Sequence, residues 1–197
     1  MLFGRIAKLT AAAALGFGLL AGAASAATVI NLTGSRANLG ASETYSVDDL
    51  TLEVTSFGGN IHRNGNGLGV SSNPDRNRLG SNRNTNESLT FSFSQSVTLL
   101  GGIVFEHRNG FEMFEILDGD GNILAVQRIM GDGGSTAVTL DPLNLEGDTF
   151  TFRHLSGSGI RINQLTVTAV PLPAALPMAL VAFGGLMLVG RRRRKAV

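Results

Sequence analysis

The residues best placed to do chemistry are Asp118-Gly119-Asp120-Gly121-Asn122. Oxygen-bearing side chains at alternate positions suit a hard cation such as calcium, so Asp118, Asp120 and Asn122 form a candidate metal site. The EF-hand order fails twice, however. Ile123 stands at the sixth position, where Gly is required, and Ile129 at the twelfth, where a bidentate Glu is. The same five residues also make a tight turn, because Asp-Gly and Gly-Asn tolerate the positive φ that hairpins need. The turn is the better reading, with calcium a cofactor the sequence leaves open.

Other candidates are scattered. His62, His107 and His154 lie on separate segments, and no second ligand accompanies any of them at helical or strand spacing. Glu106-His107-Arg108 and the pair Glu112 and Glu115 could do acid–base work, but paired carboxylates are common in an acidic chain and their separation in space decides. Gly157-Ser158-Gly159 lacks the strand-to-helix setting of a nucleophile elbow. With no catalytic constellation, the chain is expected not to be an enzyme. Arg63, Arg76, Arg78 and Arg83 could instead hold an anionic polysaccharide through charge-assisted hydrogen bonds, or simply be solvated. Stacking platforms for sugars are scarce, with no Trp, a single Tyr at 45, and phenylalanines mostly on core parity.

The elements that must position these residues are strands. Between Ala27 and Val170 no amphipathic helix is evident, and short Val-, Ile-, Thr- and Phe-rich runs alternate with Gly, Asn and Asp. Nine strands are expected, over 28–33, 50–55, 89–94, 97–106, 111–117, 123–130, 136–140, 149–155 and 160–168. A turn is expected at Gln95-Ser96, a bulge or bend at Gly101-Gly102, and a hairpin at 118–122. Along 160–168 the apolar parity changes between Ile162 and Leu165, which a bulge near Asn163 would reconcile. The expected core is Leu52, Val54, Leu89, Phe91, Phe93, Ile103, Phe105, Phe114, Ile116, Ile123, Val138, Phe150, Phe152, Ile160 and Ile162. This pattern predicts an all-β fold, an antiparallel β-sandwich of jelly-roll type. An immunoglobulin-like sandwich competes, but the Cys and Trp that would support it are absent. Residues 58–87, with eight asparagines and few apolar side chains, break the strand rhythm and are expected to form a long Asn/Gly/Arg-rich loop, functional or mobile.

Both ends read as targeting segments. Arg5 and Lys8 precede the apolar run 9–23, and Ala24-Ser25-Ala26 offers a small-x-small site, so residues 1–26 are expected to be a signal peptide cleaved after Ala26. At the other end, 17 uncharged residues over 174–190 reach the lower limit for a membrane-spanning helix. Arg191, Arg192, Arg193, Arg194 and Lys195 follow as a block that stays on the cytoplasmic side. These ends hold seven of the 16 Lys and Arg, which leaves nine arginines against all 15 acids and a net charge of −6 for the domain between them. Such a domain is soluble and exported, and it is not a general nucleic-acid binder. It has no cysteine, so its 27–169 span must stand on its hydrophobic core alone.

The tail, with Val170-Pro171-Leu172-Pro173-Ala174 at its front, then an apolar stretch, then the Arg cluster, resembles the PEP-CTERM family of sorting tails in its VPLPA variant. The resemblance covers residues 170–197. It implies recognition by an exosortase, an intramembrane cysteine transpeptidase that removes the tail and delivers its substrate to the cell surface. The motif residues would then be substrate and the protein would pass through an inner-membrane intermediate. The expectation is therefore a non-enzymatic surface or extracellular-matrix protein. Its alternative is a lectin-like module binding exopolysaccharide, with or without calcium. A plain single-pass anchor remains the bland reading of the tail.

Overall fold

The computed structural model describes residues 26–72, 77–80, 87–106, 111–130, 136–140 and 142–170. Residues 26–170 form one compact unit. The expected signal peptide, the membrane helix over 174–190 and the basic stop lie outside the described residues, as do Pro171 to Ala174 of the sorting motif.

The described residues are all-β, with no helix among them. Twelve strands run in chain order: β1 Ala27–Asn31, β2 Ala37–Gly40, β3 Ser42–Val47, β4 Leu50–Phe57, β5 Asn60–Asn64, β6 Gly67–Ser71, β7 Ser88–Glu106, β8 Phe111–Leu117, β9 Ile123–Met130, β10 Ala137–Leu140, β11 Leu145–Ser156 and β12 Ile160–Ala169. Every strand pairing is antiparallel. The longest hydrogen-bonded path is β2-β5-β6-β12-β7-β11-β8-β9, and β1, β3, β4 and β10 pair off it.

β7 gives this arrangement its shape. Its first half, up to Phe93, pairs with β4 and with Thr149–Arg153 of β11. Its second half, from Val97, pairs with β12, β10 and the start of β11. Between them four residues of β7 oppose the single Asp148 of β11, because Ser92 faces Thr149 while Val97 faces Gly147. The turn expected at Gln95-Ser96 is therefore an exposed corner inside one strand, of the kind that lets a strand change partners without ending. The inward residues of both groups join one hydrophobic core.

Aromatic pairs fill the centre of the first group. Phe91 meets Phe152 edge-on at 5.3 Å and Phe93 meets Phe150 edge-on at 6.1 Å. Phe114 stacks on Phe152 at 5.9 Å. Alternation in β7, β8 and β11 dictates these contacts, since each strand sends every second side chain inward. Tilted and offset rings match the aromatic quadrupole.

Parity inferred along unbroken strands fails where a bulge intervenes. In β7, Leu99 faces Val167 while Gly101 faces Thr166, so Leu100 is the extra residue and the inward face changes parity. Val104 is consequently buried, and Ile103 and Phe105, expected in the core, are half-buried. The bulge falls one residue before the expected Gly101-Gly102. In β9, Leu117 faces Ile123 and Ile116 faces Ala125, so Leu124 turns toward the core and Ile123, also expected inside, is 57% exposed. Val138 packs against the core but is only partly buried. The bulge at Asn163 stands where the sequence places it, between Ile162 and Gln164.

The span 58–87 is not one loop. It holds the β5–β6 hairpin, with Ile61, Leu68 and Val70 fully buried. Glycine conceals this hairpin from a hydrophobicity reading. A Cβ at Gly67 would lie 2.2 Å from the Ile162 carbonyl oxygen, so the position takes glycine to let β12 approach.

Candidate functional site

Two places gather polar side chains, and strand parity produces both. The first closes one end of the aromatic core. Glu87 precedes Leu89 by two residues, Glu112 precedes Phe114 by two, and His154 follows Phe152 by two. Each therefore points inward, one step beyond the aromatic ladder, and β7, β8 and β11 bring those ends together. Glu87, Glu112 and His154 are 1%, 2% and 3% exposed.

Burying carboxyl groups this deeply is costly unless donors surround them. The amides of Ser158 and Gly159 donate to Glu112 at 2.7 and 3.0 Å, and His154 Nε2 lies 3.3 Å from Glu112 Oε2. The amide of Gly80 donates to Glu87 at 2.7 Å, and the Ser72 hydroxyl donates to its other oxygen. Arg78 Nη1 donates to the Ser158 carbonyl at 3.2 Å. Two glycines make room. A Cβ at Gly80, where φ is +74°, would fall 2.0 Å from the His154 ring, and one at Gly157, where φ is +118°, would fall 2.0 Å from Glu112 Oε2. His154 Nδ1 is buried without a hydrogen-bond partner among the described residues.

Glu112 and His154 are thus an acid–base pair that the sequence lists only as separate candidates. Their environment is a packed core end, and Glu112 spends its oxygens on turn amides. That arrangement fastens the β11–β12 turn and the 77–80 segment to the sheet.

The second place is the outer face of the same strands. Phe57 of β4, Ser88 of β7, Arg153 of β11 and Glu115 of β8 stand in one row, set by the pairings Phe57–Ser88, Ser88–Arg153 and Arg153–Glu115. The next row runs Thr90–Thr151–Leu117, and the two threonine hydroxyls hydrogen-bond at 2.9 Å. A groove of about 330 Å³ lies over these rows, lined by Phe57, Ser88, Thr151, Arg153, Leu117 and the 118–121 turn. Arg153 pairs through Nε and Nη2 with the buried carboxylate of Glu115.

The wall of that groove is the candidate metal turn. Asp118 Oδ1 accepts from the amides of Asp120 and Asn122 at 3.0 and 2.8 Å, and Oδ2 accepts from the Asn122 side-chain amide at 3.0 Å. These bonds, the Asn122 side chain first, hold the Asp118 carboxyl below its ordinary range. A cation there would compete with the Asn122 side-chain amide for Asp118 Oδ2. Asp118–Asn122 forms the β8–β9 hairpin turn, with the Asp118 amide bonded to the Asn122 carbonyl at 3.0 Å.

The remaining candidates disperse. His62 and Arg161 meet inside the structure, with Nη1 donating to Nδ1 at 3.5 Å. Burial, then the charges of Arg161 and Arg36, lower the His62 pKa. Arg63 pairs with Glu43 at 3.9 Å. His107, Arg108, Arg76 and Arg83 lie outside the described residues. Among the described residues, no group of three or more His, Asp or Glu could hold a metal ion. Phe57 and Arg153 join these sites although no local motif marks them. The signal for Phe57 was present: Leu50, Leu52 and Val54 fix the inward parity of β4, and Phe57 has the opposite one.

No protein-family model matches the chain, and no curated protein matches it. Among solved structures it is similar to a family two carbohydrate esterase from Cellvibrio japonicus, at 17% identity and a TM-score of 0.29. The likeness covers 76% of this chain and 36% of that one, so the chain spans about a third of the esterase's length.

Proposed function

We propose that this is an exported surface or extracellular-matrix protein, without catalytic activity of its own, whose tail is a sorting signal processed by an exosortase. Its domain is a β-sandwich of jelly-roll type, the two strand groups joined through β7 serving as its layers. One observation carries this reading. The folded strands begin at Ala27, immediately after the expected cleavage site, and end at Ala169, immediately before the Val170–Ala174 motif. β1 and β12 pair directly, with Ala27 opposite Thr168, so the two targeting segments would join the domain at adjacent strand ends. Val170 itself is tied by its amide to the Ser96 carbonyl at 3.0 Å. The chain would be exported by its signal peptide, held at the inner membrane by 174–190 with 191–195 on the cytoplasmic side, and released to the surface by cleavage in the motif.

Intact-mass spectrometry of the protein recovered from its native host tests this. The expected species starts at Ala27 and lacks the apolar and basic part of the tail. A chain still ending at Val197 would refute processing and leave a plain anchor.

A second reading, a saccharide-binding module, is favoured by the outer-face groove, where an exposed ring adjoins hydroxyl and guanidinium groups. The two are compatible, since sorting sets where the domain goes and binding would set what it does there. A soluble exported module of this kind needs no nucleic-acid partner.

A further inference from the structure

We propose that the outer-face groove binds a neutral polysaccharide chain, with Phe57 as the stacking platform and Arg153 as a pre-oriented donor; this rests on the saccharide-binding reading and assigns its site. Phe57 is 67% exposed and lies at the end of a strand whose buried inward residues are Leu50, Leu52 and Val54. A lone exposed ring needs no explanation. Here, however, the ring is one end of a lined groove whose other members can hydrogen-bond. Ser88 and Thr151 offer hydroxyls, and the row Phe57–Ser88–Arg153 spans three strands, or about 10 Å. An extended chain of rings fits an open strip of that shape.

Arg153 supplies the second observation. Its side-on pairing with Glu115 uses Nε and Nη2. Glu115 is 3% exposed, while the Arg153 side chain paired with it reaches the surface. The pair holds the guanidinium, and with Nε and Nη2 turned to Glu115 its Nη1 hydrogens lie on the other side of the group. A donor held this way loses little freedom when it binds a hydroxyl.

Charge selects the ligand class. Glu115 offsets Arg153, and Asp118 adds a carboxylate to the groove wall. The groove therefore offers no net positive charge to attract uronic or sulfated chains. It presents an aromatic face for the C–H side of a pyranose and polar groups for its hydroxyls, which describes a neutral glycan. This binding calls on no calcium, since its contacts come from the ring, the hydroxyls and the guanidinium.

Isothermal titration calorimetry on the full chain in detergent, against cello-, xylo- and mannohexaose and against an oligo-uronate, tests the assignment. The wild-type chain is expected to bind at least one neutral hexaose, with affinity unchanged by EDTA or by salt. Phe57→Ala should weaken that binding by about tenfold, as the loss of an aromatic contact does, while Phe57→Trp should keep it. Phe57 is exposed, so both variants should unfold at the wild-type temperature, which the same samples can show. If the wild-type chain binds no saccharide, the saccharide-binding reading fails together with its site. Wild-type binding that Phe57→Ala leaves unchanged overturns the site alone. Binding confined to the oligo-uronate and abolished by salt, or lost in EDTA, overturns the neutral, metal-free assignment.

Discussion

At the scale of single residues, polar side chains here are governed by which donors reach them. Asp118 shows this most simply, because its carboxylate is satisfied within its own turn and Asn122 contributes two of the bonds. A folded-state pKa below the ordinary value of about 3.9 means that the turn gains stability above that pH and loses it as pH falls through the lower folded value. Asn122→Ala removes the first cause of the shift, so NMR titration should move Asp118 upward toward about 3.9. A titration that stays where it was would take Asn122 out of the account. Glu112 and Glu87 are buried, and backbone amides of Ser158, Gly159 and Gly80 take the place of water as their donors.

Elements decide what the residue pattern leaves ambiguous. β7 and β11 each contribute to both strand groups, and the aromatic ladder between them is the place where packing is densest in large side chains. Phe152 touches both Phe91 and Phe114 and is fully buried. Phe152→Ala should therefore cost about 3–5 kcal/mol, as deletion of a buried ring does. Urea unfolding should show a lower midpoint with an unchanged slope. A cost below about 1 kcal/mol, the size of a surface change, would mean the ladder is not central to stability.

For the molecule as a whole, stability rests on core burial, since no disulfide constrains the chain. Acid is then the expected weakness, and His62 is one reason. Burial first, and Arg161 and Arg36 after it, favour the neutral ring in the fold. The folded pKa lies below the unfolded value of about 6.5, so the unfolded chain binds more protons in between. Stability should decline as pH drops below about 6.5, and His62→Gln should flatten that part of the curve. Thermal unfolding between pH 7.5 and 5 measures it. Equal slopes for the two proteins would relieve His62 of this role.

How much was legible in the sequence follows local period. Alternation in β4, β8 and the first half of β7 placed Leu52, Val54, Phe91, Phe93, Phe114 and Ile116 in the core, because a strand's side-chain period is fixed by its backbone. In the missed hairpin β5–β6, polar residues flank Ile61 in β5 and glycines stand at 67 and 69 of β6, so hydrophobicity could not report it. Ile103, Phe105 and Ile123 were misplaced by bulges, and a bulge is a property of a strand pair. The polar end of the core was written as Glu-x-Leu, Glu-x-Phe and Phe-x-His, yet nothing local says that the three strand ends converge. The sequence by itself determined the β character, the turn chemistry of Asp118–Asn122 and the net acidity of the domain, all of which depend on neighbours along the chain. Only the tertiary structure decided that Glu112 and His154 are buried together and that Phe57 and Arg153 share a groove, because those meetings depend on which strands pair and in what register.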